Sequence, residues 1–202
     1  LFKGTENRTS FEIAQSMESV GGYLNAFTST EYTCYYARCL DSKLEDALDV
    51  LSDMVRHSIF PEEEMQKEKN VVLEEMKMYN DSPDDFVMEE FSGQLFPDHP
   101  IGRPVLGYEE TVVSFTREGL FDYIDNRYNP DNLLVAVAGN VIHEDVVKHV
   151  TRLLDQDASG ATVNETQPIP PYEVTQKELT KPIEQSHMIL GRRSLNYDHP
   201  DK

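Results

Sequence analysis

Residues 21–58 read GGYLNAFTSTEYTCYYARCLDSKLEDALDVLSDMVRHS. From Tyr23 to Leu40 the chain is rich in Thr, Tyr, Phe and Cys, the composition of a pleated, half-buried surface. The polar Thr28–Glu31 reads as a turn between two strands. Leu44, Leu48, Leu51 and Val55 then recur at helical spacing, which predicts a helix over 43–58.

Working outward, helices and strands alternate on both sides of this stretch. Upstream, Thr9 or Ser10 can cap a helix that carries Ile13, Ala14, Met17 and Val20 on one side, and Gly21-Gly22 stops it. Downstream, Pro61 suits the first turn of a helix running to about Tyr79. Ser82-Pro83 breaks that helix, and Asp84–Leu95 forms the next. Residues 97–109, with three prolines and two glycines, form an ordered loop. Thr116–Tyr128 is helical, with Leu120, Tyr123, Ile124 and Tyr128 on one stripe. Leu133–Ala138 is apolar throughout and predicts a strand buried on both faces. Glu144–Leu154 is helical, 156–172 is a polar connection, and 173–191 reads as further strands. The pattern predicts an α+β fold: one mixed, mainly antiparallel sheet covered by helices.

The 202 residues carry 37 acidic and 18 basic side chains, a formal net charge of −19. Such a surface repels phosphate backbones and anionic lipids, which argues against nucleic-acid and membrane partners. No apolar run is long enough to span a bilayer. The two cysteines, Cys34 and Cys39, lie an odd number of residues apart in a strand-like segment, so they face opposite sides and disfavour a local disulfide. Few cysteines suit a reducing compartment, and with the acidity they predict a cytoplasmic location.

The helix from 62 to 79 carries the chemistry. Glu68 and Glu75 are seven residues apart, two turns, and share one face. Val71, Val72 and Met76 predict that this helix lies against a core. Carboxylates so placed can ligate a metal or orient its ligands. Read by spacing alone the signal is weak, and Glu68 and Glu75 are more simply ordinary members of a solvated charged face, in which Glu63 and Lys67 form a favourable pair. The six histidines include no pair at ligand spacing on one helix. Neither Ser nor Cys has a convincing neighbouring base for nucleophilic catalysis.

Five stretches change that balance. They are LFKGTENRT (1–9), GGYLNAFTSTEYTCYYA (21–37), EKNVVLEEMKMYNDSPDD (68–85), HPIGRPVLG (99–107) and YNPDNLLVAVAGNV (128–141). In this order they resemble the N-terminal region of pitrilysin/insulinase-type zinc peptidases, and especially the bacterial processing-protease members similar to the β subunit of mitochondrial processing peptidase. The resemblance covers nearly the whole chain.

The resemblance implies a Zn2+ held by two histidines of a His-x-x-Glu-His helix and one downstream Glu, activating water for attack on a peptide carbonyl. The His-x-x-Glu-His residues do not occur here, and the chain reads as starting just after them. The fragment alone is therefore expected to be inactive and largely metal-free. The downstream ligand falls on Glu75, with Glu74, about 100° around the helix, as the competing residue. Glu68 falls on the family's second Glu, which orients a histidine ligand.

The family's edge strand beside the zinc falls on Gly22–Ser29, so Asn25, Ala26 and Phe27 are the expected contacts for an extended peptide or unfolded protein substrate. Tyr32 and Tyr35 read as core or sheet-packing residues. The domain reading is a truncated N-terminal peptidase domain over 1–155, a connection over 156–172, and the start of the following strands over 173–202. A second homologous domain or subunit would supply an Arg and a Tyr. An exposed sheet edge predicts a homo-oligomer as a further possibility. The alternative within the same fold is a non-catalytic scaffold or substrate-recognition subunit.

Overall fold

The computed structural model describes residues 1–154, 167–171, 173–196 and 199–201. The elements run α1 (Ser10–Glu18), β1 (Tyr23–Thr28), β2 (Thr33–Arg38), α2 (Leu44–His57), α3 (Glu62–Asp81), α4 (Pro83–Leu95), α5 (Glu109–Ser114), α6 (Arg117–Arg127) and α7 (His143–Leu154). The class is α+β, and among the described residues the sheet is the antiparallel pair β1–β2. Two compact units divide the chain. One comprises Leu1–Thr28, Thr33–Lys69 and Ser114–Glu165; the other comprises Ser29–Tyr32, Asn70–Val113 and Thr166–Lys202.

The first unit is built around α1 and α2. Thr9 begins α1 with a reciprocal cap: its hydroxyl accepts the Glu12 N–H, and Glu12 Oε2 accepts the Thr9 N–H at 2.8 Å. Gly21 ends it, at φ +68°, a left-handed turn that suits a residue without a side chain. The Gly22 N–H then returns to the Met17 carbonyl at 2.8 Å. Ile13 and Met17 of α1 meet Ala47, Val50 and Met54 of α2 in one buried cluster, with Leu24 of β1 and Ala37 of β2 packed against it. Burying each large side chain of this set contributes about 1.5–3 kcal/mol.

Strand register follows from the same cluster. Leu24 pairs with Ala37 and Ala26 with Tyr35 on the inward face, while Tyr23, Asn25 and Phe27 share the outward face with Cys34, Tyr36 and Arg38. Both cysteines are free thiols. The hairpin turns one residue later than its composition predicts, over Ser29–Tyr32, closed by the Ser29 N–H on the Tyr32 carbonyl at 2.8 Å. Tyr32 therefore stands at the tip, 60% exposed, rather than in the core. Tyr35 does pack, its ring centroid 6.2 Å from that of Tyr128 on the residue following α6.

Three expectations are corrected. Leu133–Ala138 is not a strand, and Leu134 is 93% exposed. An apolar run becomes a strand only beside a partner whose carbonyls and amides complete the ladder, and none lies alongside it among the described residues. Residues 173–191 are likewise irregular for want of a paired strand. Within the second unit they are held to α4 by side chains: Thr175 to Gln94 at 3.3 Å, His187 to Asp84 at 2.7 Å, and Lys177 to Glu90. Finally, α3 has no fully buried residue; Val71 is 49% exposed, and Val72 and Met76 are half-buried. Of the expected connection over 156–172, residues 167–171 are irregular, and 156–166 and 172 lie outside the described residues.

Candidate metal and peptide site

α3 begins under constraint. Phe60, just before Pro61, has φ +42°, an uncommon conformation for a bulky side chain. Arg117 at the start of α6 holds it there: Nε donates to the Phe60 carbonyl at 3.0 Å, and Nη2 donates to the Ile59 carbonyl at 2.8 Å. The guanidinium also lies over the Phe121 ring, which meets Phe60 edge-on at 5.2 Å. From this fixed start α3 runs uninterrupted for 20 residues.

Glu68 and Glu75 both lie on that helix. Glu68 is half-buried, and its Oε1 receives Lys3 Nζ at 2.7 Å. Glu75 is exposed and has no ion-pair partner among the described residues. Its rival Glu74 is already committed to Lys77 at 2.7 Å. Glu63 and Glu64 share Lys67, at 3.1 and 2.7 Å, so the acidic first turn of α3 is internally compensated. The Glu64 carboxyl is held below the usual range by its hydrogen bond from Lys67.

A cavity of about 360 Å³ opens beside Glu68 in the first unit, walled by Phe60, Met65, Ile124, Tyr35, Tyr123 and Tyr128. Tyr35 and Tyr128 hydroxyls are 2.9 Å apart. Burial pushes both phenols above their ordinary range, so they stay neutral hydrogen-bonding groups at any physiological pH. The α6 stripe read from the sequence is this wall. The tyrosine pair itself was not foreseen, because 93 residues separate its members.

Asn25, Ala26 and Phe27, the residues expected to meet a peptide, sit on β1. Alternation from the Ser29–Tyr32 closing bond turns the backbone groups of Leu24, Ala26 and Thr28 away from β2. Among the described residues β1 pairs with β2 alone, so that edge is open. Asn25 partly shields it: its Oδ1 accepts the Ala26 N–H at 2.8 Å, and its Nδ2 donates to the Tyr23 hydroxyl at 2.5 Å. Phe27 is exposed on the outward face, with its ring centroid 6.2 Å from that of Tyr36.

The second unit holds a larger groove of about 970 Å³, lined by Met76, Tyr79, Phe86, Glu89, Tyr108 and Glu109 among others. Burial, with Glu90 alongside, raises the Glu89 carboxyl above its usual range. Sequence reading did not single out Glu89; an EE pair on a helix carries no signal of burial.

The donor set does not make a complete zinc site. Among the described residues no group of three or more His, Cys, Asp or Glu side chains comes together to hold a metal ion. Histidines are engaged elsewhere: His57 with Asp53, His149 with Glu45, His187 with Asp84, and His99 Nδ1 with the Ile101 N–H. No helix among the described residues is long and apolar enough to cross a membrane.

Residues 1–109 match the family described as Insulinase (Peptidase family M16), and residues 114–202 match the one described as Peptidase M16 inactive domain. A Bacillus subtilis protein named as an uncharacterized zinc protease, YmxG, is 45% identical over 98% of this chain and 48% of its own length. The chain spans about half the length of the curated relatives it matches. Two solved structures share the fold. The peptidase M16 inactive domain from Pseudomonas fluorescens superposes with a TM-score of 0.75 at 18% identity, over 83% of this chain and 41% of that one. The first half of the periplasmic protease PqqL from Escherichia coli gives 0.73 at 21% identity, over 84% of this chain and 38% of that one.

Proposed function

Because the chain belongs to the insulinase family of peptidases, M16, we propose that it serves a zinc-dependent endopeptidase that cleaves extended peptides or unfolded protein segments. In this reading Glu75 supplies one carboxylate ligand to the metal, and Glu68, two turns earlier, orients a neighbouring ligand. The remaining ligands come from outside these residues, as does a second homologous half that closes over the substrate. The open edge of β1 receives the peptide as an added strand, with Asn25, Ala26 and Phe27 against it.

The observation that carries this reading is the pairing of commitments on α3. Glu74 is neutralised by Lys77, whereas Glu75 is exposed and unpaired among the described residues. A carboxylate left without a cation partner is available to a metal. The zinc names of the relatives and the solved M16 half-domains support the same reading.

The test compares zinc content and hydrolysis of an unstructured peptide for a protein carrying this chain and for its Glu75→Gln and Glu74→Gln variants. Loss of both readouts in Glu75→Gln, with both retained in Glu74→Gln, is the expected result. A parent protein that holds no zinc overturns it in favour of a non-catalytic scaffold or recognition subunit of the same fold.

A further inference from the structure

Glu68 is fixed from an unexpected direction. The stretch Lys3–Arg8 has no helix or strand of its own, yet it is tied to α2 along its length. Thr5 Oγ1, Asn7 Nδ2 and Arg8 Nη1 all donate to the Asp53 carboxylate, at 2.7, 2.6 and 2.6 Å. The Glu6 N–H donates to the His57 carbonyl at 2.9 Å, and the Ile59 N–H donates to the Gly4 carbonyl at 3.2 Å. Gly4 has φ +130°, and a Cβ there would stand 3.5 Å from the Ile59 side chain. The chain is thus bent at Gly4 and pinned on either side of Thr5. The residue delivered by that bend is Lys3, whose ammonium meets Glu68 at 2.7 Å.

We propose that Asp53 and Lys3 are positioning residues for Glu68. Asp53, 5% exposed on the inner side of α2, gathers the side chains of the loop. The loop sets the Lys3 backbone, and the Lys3 ammonium sets the Glu68 carboxylate on α3. A lysine on a free loop would gain little from such a contact, because a half-exposed ion pair is screened by solvent and must order two long side chains. Anchoring the lysine's backbone at a buried carboxylate removes part of that entropic cost. The residues touched by Asp53 therefore govern where the Glu68 carboxylate stands, although none of them reaches α3. This inference rests on the metallopeptidase reading only for the use made of Glu68; the chain of contacts is independent of it.

The test follows the Lys3 ammonium by 1H–15N NMR on the 202-residue chain, with folding of each variant checked by its amide spectrum. The expected result is a resolved ammonium signal that disappears in Glu68→Gln and in Asp53→Asn, and that persists in Asp49→Asn, which removes only the outer partner of Arg8. Lys3→Arg keeps the Glu68 carboxyl 13C shift of the parent, whereas Lys3→Met loses it. Persistence of the signal in a folded Asp53→Asn chain overturns the proposal, as does its absence from the parent. If Asp53→Asn does not fold, Asn7→Ala decides: ammonium hydrogen exchange about threefold faster than in the parent is expected, and an unchanged rate overturns it. None of these readouts depends on zinc or on hydrolysis, so a failure of the peptidase reading leaves them intact.

Discussion

Arg8 Nη1 donates to Asp53 Oδ2 at 2.6 Å, joining two residues 45 positions apart across the boundary between an irregular segment and α2. The arginine's other arm reaches Asp49, one turn earlier on the same helix. Asp53 is the buried member and Asp49 the half-exposed one, with side-chain exposures of 5% and 46%. A buried carboxylate is tolerable only when its oxygens are fully engaged, and removing it strands the donors it satisfied. Asp53→Ala is therefore expected to destabilise the fold by about 3 kcal/mol. Asp49→Ala, where solvent screens the pair, is expected to cost under about 1 kcal/mol. Chemical denaturation of the two variants separates these cases; equal costs would mean that burial of Asp53 is not what matters.

The same carboxylate sets an acid limit. Burial alone would raise the Asp53 carboxyl, but the hydrogen bonds from Asn7, Thr5 and Arg8 outweigh it and hold the group below the usual aspartate range. A depressed folded-state value stabilises the protein above the unfolded value, about pH 4, and that contribution is lost as pH falls through the lower folded value. Stability measured against denaturant should thus drop as the pH is lowered from about 5 toward 2. The drop should be smaller in Asp53→Asn, which has no proton to gain. An identical acid profile in both chains would assign the loss to other carboxylates.

Arg117 is predicted to govern the start of α3. Its guanidinium serves the carbonyls of Ile59 and Phe60 together, and Phe60 holds a positive φ that only its surroundings can maintain. Arg117→Ala leaves both carbonyls short of a donor, at a cost of about 1–3 kcal/mol. Arg117→Lys, lacking the planar fork, recovers only part. Amide hydrogen exchange over Glu62–Met65 should accelerate in the alanine variant, and unchanged exchange there would show that Pro61 alone defines the turn.

How far the sequence foretold this structure depends on the range of the forces involved. Thr9 as a cap, Gly21 as a stop and the Leu44–Val55 spacing of α2 are local features, legible because neighbours within a few residues decide them. Glu68 and Glu75 on one face are legible for the same reason. The run Leu133–Ala138 failed because strand formation needs a partner, and hydropathy does not say whether one is present. The one-turn-and-a-half α5 was overlooked because Pro104 and Gly107 signal a loop immediately before it. The Asp53 cluster was invisible: its donors come from residues 5, 7 and 8, and nothing in a lone aspartate on a helix indicates three distant partners.

The core predicts its own sensitivities. Met54 of α2 and Met17 of α1 are wholly buried, in one cluster with Ile13, Val50 and Ala47. Met54→Ala should cost about 2–5 kcal/mol, the transfer loss plus the cavity it leaves. Met54→Leu, nearly equal in volume, should cost under about 1.5 kcal/mol. Comparable losses in both would mean that the site tolerates no change of shape.

The most direct check on the peptide edge is a single backbone change. Ala26 directs its N–H away from β2, where Asn25 Oδ1 now accepts it. Proline is tolerated on strand edges whose N–H faces outward, since no ladder bond is lost. Ala26→Pro should therefore leave the hairpin folded while removing the central donor for an incoming strand. Binding of an extended peptide, followed by fluorescence anisotropy on a protein carrying this chain, is expected to weaken by about tenfold, the worth of one hydrogen bond of about 1.4 kcal/mol. Leu24 and Thr28 flank Ala26 on the same edge, so N-methylation of the peptide at the groups facing them should weaken binding similarly. Full affinity in Ala26→Pro, with the β1–β2 cross-strand signals intact, would place peptide binding elsewhere on the molecule.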